Sequence, residues 1–152
     1  MVISDKNLYV AWWGNGTGNF EVIFKASNDN GKTFGDKINL SNSTNGTSGA
    51  ASVAASGNNV YVTYWDNKTG IGRVYVRTSN DNGKTFGEEI NLSNSTGIQS
   101  TRAEIVASGD NVDVSWWEKS DGKDQPMIRT SNDGGKTFGE ATVLTANSTS
   151  SS

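Results

Sequence analysis

The sequence is built from one unit that recurs at a fixed spacing of 52 residues. The octet Ser-Asn-Asp-Asn-Gly-Lys-Thr-Phe begins at Ser27, returns at Ser79 and recurs with one change at Ser131. A fixed period of this length is typical of folds in which equivalent units stack on one another. The spacing therefore predicts a single repeat domain over 1–152, with units at 1–48, 49–100 and 101–148 and a tail at 149–152.

Each unit has the pattern of four short strands. In the middle unit, β-branched, aromatic or alternating apolar residues cover 52–55, 60–65, 73–78 and 88–92. Turn-forming Gly, Asn, Asp and Ser residues separate these runs, and no run has apolar residues at helical spacing. Four antiparallel strands per unit predict an all-β fold, a β-propeller with three blades in the chain.

Composition argues against several classes of function. The chain has no Cys and no His, which removes disulfides, thiol nucleophiles, most zinc sites and the usual general base at neutral pH. The net charge is -3 and the Lys and Arg residues are scattered, so no nucleic-acid partner is expected. No apolar run is long enough to predict a membrane span. We expect no cofactor and no metal, although a loosely held cation near Asp29 and its repeats stays open.

The octet resembles the Asp box, also called the BNR repeat, of the sialidase-type propellers. That pattern is Ser-x-Asp-x-Gly-x-Thr followed by Trp or Phe. It occurs once in each of the three units, which together cover the whole chain. The resemblance implies a structural role, a turn between the third and fourth strands of each blade. The structural residues are Ser27, Asp29, Gly31, Thr33 and Phe34, then Ser79, Asp81, Gly83, Thr85 and Phe86, then Ser131, Asp133, Gly135, Thr137 and Phe138.

Elementary chemistry accounts for each position of the octet. An Asp carboxylate can accept backbone N–H bonds inside a tight turn, and a Gly allows positive φ. The Ser and Thr hydroxyls are expected to pair across the hairpin, and the final Phe is expected to anchor the turn in the core.

The resemblance also bears on catalysis. Sialidases resembling this fold use an arginine triad for the substrate carboxylate, a Tyr nucleophile paired with Glu, and an Asp acid/base. This chain has four Arg. Two of them, Arg77 and Arg129, occupy the same position in successive units, and Lys25 occupies that position in the first unit. Every Tyr falls inside an apolar strand run, where packing accounts for it. The sequence therefore predicts no catalytic residues and no enzyme activity.

The number of units predicts an assembly. A blade buries its two faces only against neighbouring blades, so a three-blade arc leaves two apolar faces bare. Closed propellers have about four to eight blades, and six is the only multiple of three in that range. We therefore expect each chain to be half of a six-bladed ring, closed as a homodimer in which blade 1 packs against blade 3 of the other copy.

A ligand site, if the ring has one, is expected among the loops that vary between the units. These loops follow the second and fourth strands of each blade and share one end of the ring. The candidate ligand-binding residues are Trp13, Trp65, Asp66, Arg73, Arg102, Trp117 and Glu118.

Three functions stay open at this point. The first is a structural scaffold that self-assembles, excised or engineered from a longer propeller. The second is a glycan-binding or protein-binding propeller that uses the variable loops. The third is a remnant of a sialidase. The sequence does not determine the localisation. Asn-x-Ser/Thr triplets fit an extracellular or cell-surface parent protein, but polar turns also account for them. No signal peptide is recognised in this sequence.

Overall fold

A computed structural model describes residues 1–93 and 99–144 of the chain. These residues form twelve strands in three sheets of four, and none of them forms a helix that could cross a membrane. Blade 1 contains β1 (Val2–Ser4), β2 (Asn7–Gly14), β3 (Glu21–Ser27) and β4 (Ile38–Asn39). Blade 2 contains β5 (Ser48–Ser56), β6 (Asn59–Asp66), β7 (Arg73–Ser79) and β8 (Ile90–Asn91). Blade 3 contains β9 (Ser100–Ser108), β10 (Asn111–Ser120), β11 (Lys123–Ser131) and β12 (Thr142–Val143).

Within each sheet the strands pair in chain order, and every pairing is antiparallel. The prediction of an all-β chain with three four-stranded antiparallel blades is therefore confirmed. The fourth strand is shorter than predicted, two residues instead of five in blade 2, although the backbone N–H of Leu92 still donates to the carbonyl of Val74. The tail at 149–152 lies outside the described residues.

The first strand of blades 2 and 3 is longer than predicted because it contains an irregularity. The register of β5 against β6 shifts between Gly49 and Ser52, and that of β9 against β10 shifts opposite Ser115 and Trp117. Ala50 and Arg102, which are equivalent in the repeat, both have positive φ at this point. Such bulges re-aim side chains without ending the strand.

The core lies between the sheets. One cluster of buried side chains joins blade 1 to blade 2 and includes Tyr9, Phe24 and Tyr64. A second cluster joins blade 2 to blade 3 and includes Tyr61 and Trp116. We call these two contacts the inner seams.

Strand β6 has apolar residues on both of its faces. Val60, Val62 and Tyr64 belong to the cluster shared with blade 1, whereas Tyr61 belongs to the cluster shared with blade 3. Because side chains alternate along a strand, the middle sheet is buried on both faces. The outer sheets each have one face in an inner seam and one face, here called an outer face, on which no other described sheet packs.

Candidate functional site

The three octet turns have the same hydrogen bonds. In the first turn, Asp29 Oδ1 accepts from the Ser27 hydroxyl at 2.7 Å and from the Thr33 backbone N–H at 2.9 Å, and Asp29 Oδ2 accepts from the Thr33 hydroxyl at 2.5 Å. Asp81 and Asp133 repeat this arrangement. The expected pairing of the Ser and Thr hydroxyls with each other was wrong, because both hydroxyls donate to the carboxylate between them.

The backbone of each turn requires glycine at its centre. Gly31, Gly83 and Gly135 have φ of 83°, 82° and 82°. The residue before each glycine also has positive φ, which the sequence analysis did not anticipate. Asn, Asn and Gly stand there, residue types that tolerate this conformation.

These hydrogen bonds change the acidity of the turn. The Thr hydroxyl, then the Thr backbone N–H and the Ser hydroxyl, stabilise the ionised carboxylate and hold the pKa of Asp29 and Asp81 at about 2. The same donors lower the pKa of Asp133 still further. The turns therefore remain ionised and bonded well below neutral pH.

The second and third turns also pack against the preceding blade. A Cβ at Gly83 would lie 2.8 Å from Phe24 Cζ, and a Cβ at Gly135 would lie 2.9 Å from Tyr61 Cε1. The rings of Phe24 and Phe86 meet edge to face at 4.8 Å. The octet is thus part of each inner seam as well as a corner of its own blade.

Among the described residues no preceding sheet packs against the first turn, and one expectation fails there. Phe34 was expected to anchor its turn in the core, but it is 41% exposed, whereas Phe86 and Phe138 pack against the clusters of the inner seams. The reason is geometric: the surface that receives this Phe belongs to the sheet before it.

Two arginines fasten neighbouring blades together. Arg77 donates to its own turn through the carbonyls of Phe86 and Gly87, and its Nη1 reaches the Leu40 carbonyl of blade 1 at 2.9 Å. Arg129 makes the corresponding bonds in blade 3, with Nη1 at 3.1 Å from the Leu92 carbonyl. This role was not predicted from the sequence, although a long cationic side chain that recurs in an apolar strand is a signal for it.

The outer faces expose side chains whose repeat equivalents are buried. Trp12 is 38% exposed, whereas Tyr64 and Trp116 are at most 1% exposed at the same position. Leu144 is 56% exposed, whereas Leu40 and Leu92 are each 1% exposed. The difference comes from the missing neighbour and not from the sequence of the unit.

The predicted ligand-binding residues fall into two groups. Trp13, Trp117 and Arg102 are exposed, and Trp65 is half-buried with an indole nitrogen that lies against Gly72. Asp66, Arg73 and Glu118 are buried.

Asp66 shows how a member of the buried group is held. Its carboxylate accepts from the Ser48 hydroxyl at 2.9 Å and from the Lys68 backbone N–H at 2.6 Å. Burial raises the pKa of Asp66, against the effect of these donors. Ser43 connects Asp66 to Glu21, because its hydroxyl donates to the first and its backbone N–H donates to the second.

The exposed group contains one open cleft. Thr101, Arg102, Trp117 and Asp124 line a cleft of about 230 Å³ at the loop end of blade 3. The positive φ of Arg102 at the bulge brings its side chain beside Trp117. An indole face, a guanidinium and a carboxylate together can stack on an apolar ring and hydrogen-bond to hydroxyl groups.

One tyrosine is paired with a carboxylate, but its environment opposes nucleophilic chemistry. The Tyr64 hydroxyl donates to Glu89 Oε2 at 2.6 Å. Burial, followed by this hydrogen bond and the negative charge of Glu89, raises the pKa of Tyr64 far above its ordinary value. A nucleophilic phenol needs the opposite shift.

No family model and no curated protein matches the chain. Solved structures do match its fold. A Hadza microbial sialidase, Hz136, is 13% identical with a TM-score of 0.68, over 88% of this chain and 34% of that one. Trypanosoma rangeli sialidase in complex with 2,3-difluorosialic acid is 17% identical with a TM-score of 0.67, and the match covers 91% of this chain and 29% of that one. A leech intramolecular trans-sialidase is 18% identical with a TM-score of 0.58, and the match covers 83% of this chain and 19% of that one.

The likeness concerns architecture. The chain has the fold of part of a sialidase propeller, and it spans about a third or less of the length of these structures. Since each superposition covers more than four fifths of the chain, the sheets match as one arrangement and not one by one.

The low pKa of the octet carboxylates predicts how stability responds to acid. The pKa of Asp29 and Asp81 in the folded chain lies near 2, below the usual value of about 3.9. Their contribution to the free energy of unfolding is therefore fully present above about pH 4 and is lost as the pH falls toward 2. Urea unfolding between pH 7 and pH 2 measures this loss. We expect Asp81→Asn to be less stable at pH 7 and to have a flatter slope between pH 4 and pH 2. An unchanged slope would refute the assignment, and Thr85→Val should give an intermediate slope because it removes one donor.

Proposed function

We propose that this chain is a non-catalytic assembly module whose octets are Asp boxes and whose two copies close a six-bladed propeller. One observation carries the proposal. Positions that are buried in both inner seams, such as those of Tyr64 and Leu40, are exposed on the outer faces at Trp12 and Leu144. A second copy supplies the missing neighbour to both outer faces at once.

The repeat specifies which residues would meet. Phe86 packs on Phe24, so Phe34 would pack on the equivalent of Phe24 in the partner, which is Ile128. Arg77 donates to the Leu40 carbonyl, so Lys25 would donate to the Leu144 carbonyl of the other copy. At these two positions the outer faces would repeat the contacts of the inner seams, although the outer face of blade 3 is more polar, with Glu104 exposed and Asp113 at the position of the buried Tyr9 and Tyr61.

The polar ends of the outer faces also suit an intermolecular contact. The first inner seam buries Glu21 and Asp66 in one network through Ser43. At the equivalent positions the proposed contact would bring together Gln125 and Gly14, which are both uncharged. Assembly would then desolvate no charge at this point, and such desolvation is a major cost of burying polar groups.

The expected interface is large enough for a stable dimer. If each of the two contacts buries about 1,200–2,000 Å², the pair lies within the range of permanent interfaces. Two equivalent contacts related by a two-fold axis also leave no open end for a third copy.

Several features support the absence of catalysis. Arg77 and Arg129 each donate to three backbone carbonyls, and Arg73 is buried. Burial raises the pKa of Tyr64 and also that of Tyr9, Tyr61 and Tyr75. The sialidase activity in the names of the similar structures is therefore not proposed for this chain.

The mass in solution tests the assembly. Light scattering after gel filtration should give 32.4 kDa, twice the chain mass of 16.2 kDa. Leu144→Asp places a charge in the proposed contact and should weaken the dimer at least tenfold, about 1.4 kcal/mol. Thr17→Asp adds the same charge in an exposed loop and should leave the mass unchanged. A wild-type monomer with the circular dichroism of a folded β protein would refute the proposal.

A second function, glycan binding, is favoured by the cleft of Trp117, Arg102 and Asp124. Aromatic faces bordered by charged hydrogen-bonding groups suit sugar rings, and this cleft is open on the chain. A glycan array would identify a ligand, and Trp117→Ala should abolish its binding while the circular dichroism of the folded chain is kept. No bound glycan, or binding that survives Trp117→Ala, would reject this second function.

A further inference from the structure

The chain contains four Asn-Gly pairs, and the structure places them in different surroundings. They are Asn15-Gly16, Asn30-Gly31, Asn45-Gly46 and Asn82-Gly83. The side-chain amide of an asparagine is open to attack by the backbone nitrogen of a following glycine, because glycine has no Cβ to hinder the approach. The attack needs an accessible amide and a backbone nitrogen that is able to move and to lose its proton. The surroundings of each pair therefore determine how fast it reacts.

The two pairs in the octet turns are held by hydrogen bonds. The Gly31 backbone N–H donates to Ser27 Oγ at 2.9 Å, and the Gly83 backbone N–H donates to Ser79 Oγ at 2.9 Å. The asparagine of each pair also donates its backbone N–H to a carbonyl in the turn between the first two strands of its blade, at 2.9 Å and 3.0 Å. Attack by either glycine nitrogen requires the turn to open, so both pairs should react slowly.

The pair Asn45-Gly46 is confined by its neighbours. A Cβ at Gly46 would lie 2.7 Å from the Cα of Lys68, so this glycine packs against the backbone of blade 2. The Gly46 carbonyl also accepts from Asn19 Nδ2 at 2.6 Å. Although Asn45 itself is exposed, the glycine beside it has little room to move.

The pair Asn15-Gly16 has none of these restraints. Both residues are exposed, in the loop between β2 and β3. No atom would lie within 4 Å of a Cβ on Gly16. Among residues 1–93 and 99–144, the Gly16 backbone N–H finds no hydrogen-bond acceptor. The amide and the nitrogen that attacks it are therefore both accessible.

The repeat explains why this loop differs from its equivalents. At the equivalent of Asn15 in blade 2, the Asn67 backbone N–H donates to the Thr47 carbonyl at 3.2 Å, and Asn67 Oδ1 accepts from the Thr47 backbone N–H at 2.8 Å. In blade 3, the Lys119 backbone N–H donates to the Gln99 carbonyl at 2.9 Å. Thr47 and Gln99 belong to the segments that enter these blades. Within the described part of the chain, no such segment pairs with Asn15.

We propose that Asn15 is a site of spontaneous deamidation in the folded chain. The Gly16 nitrogen loses its proton and attacks Asn15 Cγ. The new N–Cγ bond forms, the Cγ–Nδ2 bond breaks, and the Nδ2 group leaves with that proton as ammonia. Water then adds to one of the two carbonyl carbons of the resulting ring, which opens to an aspartate or an isoaspartate.

The modification changes the charge of blade 1. A carboxylate replaces a neutral amide, which adds one negative charge to a chain whose net charge is -3. The new charge follows Gly14 directly in the sequence, and Gly14 lies in the proposed dimer contact. The deamidation itself does not depend on that contact.

Peptide mapping by mass spectrometry tests the site after incubation of the full chain in mildly alkaline buffer. Asn15 should react at least tenfold faster than Asn30 and Asn82, because the octet pairs react only through local opening. Asn45 should also react more slowly than Asn15. The same chain in urea is the control, and there the four pairs should react at similar rates. Equal rates at Asn15 and Asn82 in the folded chain would overturn the proposal.

A pair of loop variants checks the chemistry at Asn15. Gly16→Ala introduces a Cβ beside the attacking nitrogen and should slow the reaction at Asn15 at least tenfold. Thr17→Ser changes the next residue of the loop without this obstruction and should leave the rate unchanged. A rate at Asn15 that is the same in Gly16→Ala as in the wild type would contradict attack by this nitrogen.

An octet variant checks the origin of the protection. Ser79→Ala removes the acceptor of the Gly83 N–H and should accelerate the reaction at Asn82, while Asn30 in the unaltered first octet stays slow. Acceleration at Asn30 as well would show that the variant unfolds, and the ratio of Asn15 to Asn82 in the wild type then decides. An unchanged rate at Asn82 in the folded variant would contradict the assigned cause of protection.

Discussion

The structure depends on the burial of sheet faces between neighbouring blades, because a four-stranded blade cannot cover its own apolar faces. The middle blade meets this condition completely, with Val60, Val62 and Tyr64 against one neighbour and Tyr61 against the other. The other two blades meet it on one side only. The exposure of Trp12 and Leu144 is the direct consequence, and the proposed association of two copies rests on it.

The seams combine a constant part with a variable part. The octet turn, its Phe and the Arg that reaches the carbonyl of the preceding blade are repeated, and they set how two sheets sit on each other. The variable part lies at the loop end and in the middle of the seam, where Glu89 in one seam becomes Ala141 in the next. The variable part therefore differs between the two inner seams while the arrangement of the sheets is kept.

The sequence was a good guide to what repeats and a poor guide to what differs between repeats. Strand order, the octet turns and their position between third and fourth strands follow from local patterns, since turn chemistry and alternation act over a few residues. The burial of Asp66, Arg73 and Glu118 could not be read in this way, because it depends on contacts between residues distant in sequence, such as Ser43 with Asp66 and Ser93 with Arg73. The exposure of Phe34 was also missed, because its octet is identical to that of Phe86 and only the preceding sheet is absent.

The account is tested most directly by site-specific cross-linking, since the chain has no native Cys. Phe34→Cys and Ile128→Cys chains are prepared separately, mixed, allowed to exchange and treated with a short bis-maleimide. Closure of blade 1 on blade 3 predicts a covalent product of 32.4 kDa, twice 16.2 kDa, in the mixture and little product from either variant alone. No product in the mixture, or equal product from Phe34→Cys alone, would contradict the six-bladed ring.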